Sequence, residues 1–528
     1  ELVPLETCSK NRMIRPISDR QVVTALAVMV IVFFGLAGTI NSGYHFTDDH
    51  ELLRFNEELS TKSFPTVAAE TILQDLEIRF RPLYYLHRVG QAKIFGTHFV
   101  VWSIYHICLL AIALWSFYAG MRNLSYSISE SLCFLVVALV GAQMEVWWRL
   151  GPSETLGTTL LGLSFYFMTR HAGMATRNRS LFCFFLIGAS LCKESFLVVI
   201  PAFVVFKIWH DKAEQQVTLR QSLQNNAMLM VPLATMLLSL LVIVFAVGTK
   251  EIGYAGLESN LTSLAKGIHL ILRYHLIAYE TLIAIFLVLL YIELKDERRW
   301  LSSLRSVMLP LTFAGLIIVP NVILYAKSGM GGRYYLPTTI GIAFFTAALM
   351  RATRIRLSWL STLFAAFILL WGTGQGFDAF LAARRFTLEG AQTKELVSEI
   401  RNNNNASARI LLVADPVLSH EWSISLKTYL STVEHIDCYG YPLEDPSTWG
   451  RWADVSEPLR AKWHTWFENE LLTDFDTPPN TIVFFDKGLS DRFFRESDIT
   501  QDHYASVLSP HSPFAMFVRK DQRLNSKN

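Results

Sequence analysis

Residues 21–40, Gln21 to Ile40, form an almost unbroken apolar run, long enough to cross a bilayer core of roughly 30 Å. Comparable runs recur near 98–119, 126–142, 155–169, 180–192, 195–208, 226–247, 270–292, 307–326, 334–350 and 358–376, giving eleven expected spans. Backbone groups in hydrocarbon must be paired inside the protein, and most of these runs are too long for membrane strands, so the pattern demands a helical bundle. The stretch 180–208 reads either as one long helix or as two short ones broken at Lys193-Glu194. No small-residue cleavage site follows the first run, which reads as a retained span.

Charge supports this class. Charged residues are only 17% of the chain, against about 25% in a soluble domain. The net charge of +2, with no basic cluster, gives no reason to expect a nucleic-acid partner. The six cysteines show neither a disulfide framework nor metal-ligand spacing.

Lys and Arg in short loops set the orientation. With the N-terminus inside, the inner segments carry Lys10, Arg12, Arg15, Arg20, Arg122, Arg170, Arg177, Arg179, Lys207, Lys212, Arg220, Lys295, Arg298, Arg299, Arg305, Arg351, Arg354 and Arg356, eighteen in all. The short outer loops carry six: Arg149, Lys193, Lys250, Lys266, Lys327 and Arg333. The expected topology has a cytoplasmic N-terminus, with the loop 41–97 and the tail 377–528 both outside.

The chain then divides into a membrane domain over 1–376 and an extracytoplasmic domain over 377–528. The tail reads as a helix over 379–403, a strand over 409–414, a helix over about 420–433, a strand near 435–440, a helix over 457–472, and strands at 481–485 and 514–518. That alternation argues a small α/β domain with a mostly parallel sheet. It has no Gly-rich phosphate loop.

Five short stretches carry the chemistry. Phe46-Thr47-Asp48-Asp49-His50-Glu51 lies six residues past the first span, where a carboxylate can act as general base on a lipid-borne substrate, or can simply be solvated. Arg79-Phe80-Arg81-Pro82-Leu83-Tyr84-Tyr85 offers two arginines to phosphate oxygens and tyrosines to a sugar ring; interfacial anchoring is the alternative. Glu145 to Glu154 is a short outer turn with two acids, Arg149 and two tryptophans, which could equally be an aromatic belt with an ion pair. Lys193-Glu194 interrupts an apolar stretch as a structural pair or as part of a site. Gly331-Gly332-Arg333-Tyr334-Tyr335-Leu336-Pro337 opens the tenth span, where a guanidinium and a helix start can meet an anion, or the motif can serve only as a cap.

In this order the stretches resemble the GT-C superfamily of membrane glycosyltransferases, and protein O-mannosyltransferase-like members in particular. The likeness rests on Asp48-Asp49, Arg81-Pro82-Leu83, Glu145 to Arg149, Lys193-Glu194, and Arg333, Tyr334 and Pro337. It covers about residues 20–340 and departs from the family in lacking tetratricopeptide repeats and in carrying an α/β tail.

The resemblance implies a sugar donor on polyprenyl or dolichyl phosphate and a protein, lipid or glycan acceptor. Asp48, with Asp49 second, is the expected base. Arg333, then Arg81 and Arg149, with Lys193 behind them, would meet the leaving phosphate. Glu145, Glu154 or Glu194 would orient these cations or bind sugar hydroxyls, and Tyr84 and Tyr334 would line the substrate. No cofactor is required, although a divalent cation could bind Asp48 and Asp49. The alternatives are a flippase for lipid-linked sugars and a non-catalytic GT-C-like scaffold in a membrane assembly.

Sidedness has a direct test. A cysteine placed in 41–97 or in the tail should react with a membrane-impermeant thiol reagent in intact cells. One placed at 351–356 should not, and the reverse pattern would overturn the topology.

Overall fold

The computed structural model describes residues 18–47, 49–77, 79–170, 175–243 and 245, scattered positions between 262 and 292, and residues 300–325, 332–404, 408–450, 456–467, 470–471, 477–510 and 512–523. Asp48, Gly331, most of the expected span 270–292, and Lys10, Arg12, Arg15, Lys250, Lys266, Lys295, Arg298, Arg299 and Lys327 lie outside the described residues.

The chain is helical with one small sheet near its C-terminus. Helix α1 (Asp19–Ala37) starts at a capping box, with Ser18 and Gln21 satisfying one another's backbone N–H groups. It stops at Gly38, which takes the left-handed conformation with φ +80°. Three amphipathic helices of the first loop follow, α2 (His50–Thr61), α3 (Phe64–Asp75) and α4 (Pro82–Phe95). Then come α5 (Phe99–Asn123), α6 (Ile128–Leu139), α7 (Glu154–Thr169), α8 (Ala175–Ser190), α9 (Glu194–Leu197), α10 (Ile200–Gln215), α11 (Leu219–Asn225) and α12 (Met230–Val242). Beyond the next described stretch lie α13 (Trp300–Leu324), α14 (Thr338–Arg356) and α15 (Ser358–Asn403).

The expectation of eleven spans needs correcting. Among the described residues three helices are long and apolar enough to cross a membrane, α1, α5 and α15, with a fourth possible if the 69° bend between α11 and α12 belongs to one span. Several expected spans are cut short by the motif residues themselves. The helix before Gly141 (φ +124°) ends at Leu139, and the apolar run 180–208 breaks at Leu191-Cys192-Lys193 into α8, α9 and α10. The run is thus broken just before Lys193-Glu194, close to where the two-helix alternative broke it, but into three helices rather than two.

Close approach of backbones holds the bundle together, as expected where helices cannot rely on water to drive them together. A Cβ on Gly162 of α7 would stand 2.4 Å from Ser116 Oγ on α5, and one on Gly120 would stand 2.4 Å from the Phe165 ring. Phe134 and Phe165 stack at 6.1 Å in the middle of the core. At one end of the bundle, ion pairs tie neighbouring helices, Arg122 to Asp19 (2.8 Å) and Arg354 to Glu130 (3.0 Å), and Lys207, paired with Asp211 within α10 (2.7 Å), donates to the Met168 carbonyl of α7 at 3.1 Å. The opposite end is formed by the turns at 141–153, 191–193 and 332–337.

Helix α15 is continuous through residue 376, where a domain boundary was expected. Gly372, Gly374 and Gly376 do not stop it, because an interior glycine costs only about 1 kcal/mol relative to alanine. Gly372 is there for contact: a Cβ would fall 2.2 Å from Val136 on α6. The last apolar run and the first helix of the tail are one rod.

That rod leads into a five-stranded sheet in the order β2 (Cys438–Pro442), β1 (Ile410–Ala414), β3 (Thr481–Phe484), β5 (Ala515–Arg519), β4 (Tyr504–Ser506). The first three strands are parallel, β5 runs antiparallel to β3, and β4 pairs antiparallel with β5 and so points the same way as the first three. Helices α16 (His420–Tyr429), α17 (Ser456–Trp466) and α18 (Gly488–Glu496) accompany the sheet. Strand β4 was missed because it is three residues at an edge with no apolar run.

One face of the sheet packs Leu411, Val413, Ile482 and Phe484 against Phe493. The other face buries Ile410, Leu412, Val483 and Met516 together with Tyr44, Phe46 and Leu53 of the first loop and Leu396, Val397 and Ile400 of α15. The tail therefore shares this core with the first loop and α15. Removing residues 404–528 should strip Tyr44 and Phe46 of their partners and leave 41–62 open to limited proteolysis. A truncated protein whose first loop resists protease as well as the full chain does would refute this shared core.

Candidate active site

The first loop is gripped from two sides. Gly43, at φ +81°, turns the chain after α1. The Tyr44 hydroxyl meets Ser425 Oγ at 2.6 Å on α16, and its ring lies 4.8 Å from that of Tyr429. Phe46 packs against Phe514 (5.6 Å) and Phe485 (6.2 Å). Between them, His45 turns the other way and stacks on Phe386 of α15, ring centres 3.6 Å apart, with Nε2 2.9 Å from the Phe386 carbonyl. Room for this approach comes from Gly390, where a Cβ would stand 2.1 Å from the Ser42 carbonyl oxygen.

Asp49 ends this segment at the N-cap of α2, buried, with its Oδ2 accepting from the His45 backbone N–H at 3.0 Å and lying 3.6 Å from His45 Nδ1. Its carboxylate closes the turn between His45 and α2; Asp48 lies outside the described residues. Asp49 itself sits at the turn entering α2.

A second group of the sequence-selected residues meets at the same end of the bundle. The 3₁₀ turns Ala142–Trp147 and Gly332–Tyr335 face one another, and Glu145 accepts from the Arg333 backbone N–H at 3.3 Å. Glu145 also pairs with Arg149 at 3.4 Å. Lys193 is buried, donates to the buried Glu154 carboxylate, and places its Nζ 4.4 Å over the Tyr334 ring. The Arg333 guanidinium lies 5.5 Å from the centre of that same ring. Two cations thus flank one tyrosine, and two glutamates offset their charge.

A cavity of about 410 Å³ opens beside Glu145, Arg149 and Gly332, and its far wall is α15, through Gln375, Asp378, Ala382, Phe386 and Glu389. Phe386, which carries the His45 stack, also lies 5.8 Å from the Arg149 guanidinium. The acidic loop and the charged cavity therefore share one aromatic wall.

The arginine-tyrosine stretch supports this group from the side. Glu194 Oε1 accepts from the Phe80 backbone N–H at 2.9 Å, and Leu83 N–H donates to the Leu191 carbonyl at 3.0 Å. Tyr84 donates to the Gly151 carbonyl at 2.6 Å, which makes it a strut for the Arg149 turn. Arg81 is held by Asp75 at 2.6 Å and by the Tyr85 hydroxyl at 3.0 Å. Burial and the neighbouring Arg88 push His87 down to about 4, so it is neutral near pH 7 and supplies no proton there.

Several members of this site carried no signal in sequence. Arg88 is buried in α4, donates to the Leu150 carbonyl and lies 5.3 Å from the Trp102 ring centre. It reads in sequence as one more helical cation. Gln375, Asp378, Ala382, Phe386 and Glu389 form a stripe at helical spacing, visible only once α15 is known to run through them. Among the described residues no group of three or more His, Cys, Asp or Glu side chains is arranged to hold a metal ion.

The buried Lys193–Glu154 pair makes a measurable claim on stability. Removing one partner of such a pair typically costs about 3–5 kcal/mol, because the other charge stays buried. Lys193→Met should lower thermal stability markedly, and Lys193→Met with Glu154→Gln should recover part of the loss. Equal and additive losses in a double-mutant cycle would show that the two groups are not coupled.

No protein-family model matches the sequence, and no curated protein matches it either. Among solved structures, the chain is similar to the archaeal oligosaccharyltransferase AglB from Archaeoglobus fulgidus, solved in complex with an inhibitory peptide and a dolichol-phosphate. The two share 11% identity over 95% of this chain and 74% of that one, with a TM-score of 0.40, too low to carry an inference about fold or activity.

Proposed function

We propose that this protein is a membrane glycosyltransferase of the GT-C type, moving a sugar from a polyprenyl or dolichyl phosphate to an acceptor hydroxyl on the outer face of the membrane. The observation that carries this reading is the joining of the acidic loop and the cation cluster through Phe386, with a cavity between α15 and the Arg149 and Arg333 turns. A transfer from a lipid phosphate needs both parts within one substrate's length: a base for the acceptor and fixed positive charge for the leaving group.

In this mechanism Asp48 takes the proton of the acceptor hydroxyl as its oxygen attacks the anomeric carbon. The bond from that carbon to the phosphate oxygen breaks with inversion, and the lipid phosphate carries away the electron pair. Arg333 is the first cation for the departing phosphate, with Arg149 beside it and Arg81 and Lys193 further back. Glu145 holds Arg149 and the Arg333 backbone, and Glu154 holds Lys193, so both acids position cations. Asp49, engaged with His45, serves the shape of the loop. The acceptor would lie along the α15 wall, with Asp378 and Glu389 available to its polar groups.

The test is turnover of a polyprenyl-phosphate sugar by purified protein, with the anomeric configuration of the product read by NMR. Asp48→Asn should depress turnover by about 10²- to 10⁴-fold, the usual span for a general base, and leave donor binding nearly unchanged. Asp49→Asn should act through the loop, raising the protease sensitivity of 41–62 alongside any loss of rate. Arg333→Ala should lose transfer, and Arg333→Lys should rescue it poorly, because an ammonium replaces a planar bidentate donor. Full activity in Asp48→Asn would remove the base from the scheme.

A further inference from the structure

At the end of the bundle opposite the charged cavity, a cavity of about 440 Å³ lies between α1 and the α5–α7 pair. Its mouth includes Asp19, Arg20, Thr24, Tyr118, Arg122 and Tyr166. Val23 and Trp115 also line a neighbouring groove of about 240 Å³, whose remaining walls are Leu26, Ala27, Ala111, Ile112 and Leu114. These positions recur every three or four residues on α1 and α5, so the groove runs down the helix pair from the mouth. At 1.5 Å per residue, the seven residues from Arg20 to Ala27 carry it about 10 Å deeper.

The mouth is cationic. Asp19 is occupied, accepting from Tyr118 at 2.7 Å and from Arg122 Nε at 2.8 Å. Arg20 is exposed and has no ion-pair partner among the described residues. Arg170 places its guanidinium 5.7 Å from the Tyr166 ring centre, and Tyr166 lies 5.0 Å from Trp115. Two guanidinium groups of the lining, Arg20 and Arg122, stand beside one carboxylate, and Arg170 adds a third from behind the Tyr166 ring; a Trp–Tyr pair of this kind suits the headgroup level of a bilayer. Alongside the groove, α1 exposes Val28 (53%), Met29 (57%) and Ile31 (61%), surface that is sustained only by contact with hydrocarbon.

We propose that this groove binds an anionic phospholipid, with its phosphate against Arg20, Arg122 and Arg170 and one acyl chain along α1 and α5. The site is separate from the proposed glycosyl-transfer centre and does not depend on that activity. Charge selects the headgroup, and the apolar stem distinguishes a lipid from a soluble phosphate. Neither half explains the other: the stem needs no cations, and a free phosphate needs no stem.

The experiment is native mass spectrometry of the full chain in detergent, titrated with phosphatidylglycerol and with phosphatidylcholine of identical acyl chains. Phosphatidylglycerol should bind at least about five-fold more tightly, the factor expected for a single basic side chain near a lipid phosphate. Arg20→Gln with Arg170→Gln should bring the two lipids together, and Arg20→Lys with Arg170→Lys should keep most of the preference. Ala111→Phe, which fills the stem at a half-buried position, should weaken both lipids alike. Equal affinity of the wild-type protein for the two lipids would overturn the proposal. So would an undiminished preference in the glutamine variant, or competition by glycerol phosphate at the concentration of the lipid.

Discussion

The His45–Phe386 stack is the contact on which the arrangement of this protein turns. Three consecutive side chains, Tyr44, His45 and Phe46, leave the backbone in alternating directions, two into the α/β domain and one onto α15. The first loop is thereby fixed to a rod that begins in the membrane bundle and ends beneath the sheet. A loop fastened on only one side could move with the sheet or with the bundle. Fastened on both, it holds His45 and Asp49 in one place relative to the rod.

Charge at this end of the bundle is largely compensated within the turns. Lys193 and Arg333 approach one tyrosine from two sides, which would be unfavourable without compensating carboxylates. Glu154 is buried with Lys193, and Glu145 lies under Arg149 and the Arg333 backbone.

Much of the class, and part of the site, was legible in the sequence. Apolar runs give helices because hydrocarbon leaves the backbone no other partner, and the β-branched and aromatic runs at 410–414, 481–484 and 515–519 give strands. Helix length was not legible: hydropathy extends through Leu191 and Cys192, while the helix stops before Lys193 because the buried pair with Glu154 needs the chain to turn. The boundary at 376 misled for the opposite reason. Composition changes there, but a helix is indifferent to the change, and splitting it concealed the stripe from Gln375 to Glu389. Arg88 was illegible because its role depends on a carbonyl 62 residues away.

Irregular backbone at membrane depth creates a second demand, and the polar residues of this end answer it. The turns at 141–153, 191–193 and 332–337 break helices, so their N–H and C=O groups lose their partners within the helix. Arg88 donates to the Leu150 carbonyl, Tyr84 to the Gly151 carbonyl, and Gln143 to the Val140 carbonyl at 2.8 Å. Glu194 and Glu145 accept from the Phe80 and Arg333 N–H groups. A helix passing straight through would need none of these five side chains, and it would also leave no cavity between α15 and the Arg149 turn. The polar shell and the cavity meet at one residue: Glu145, which accepts from the Arg333 N–H, is also a wall of the cavity.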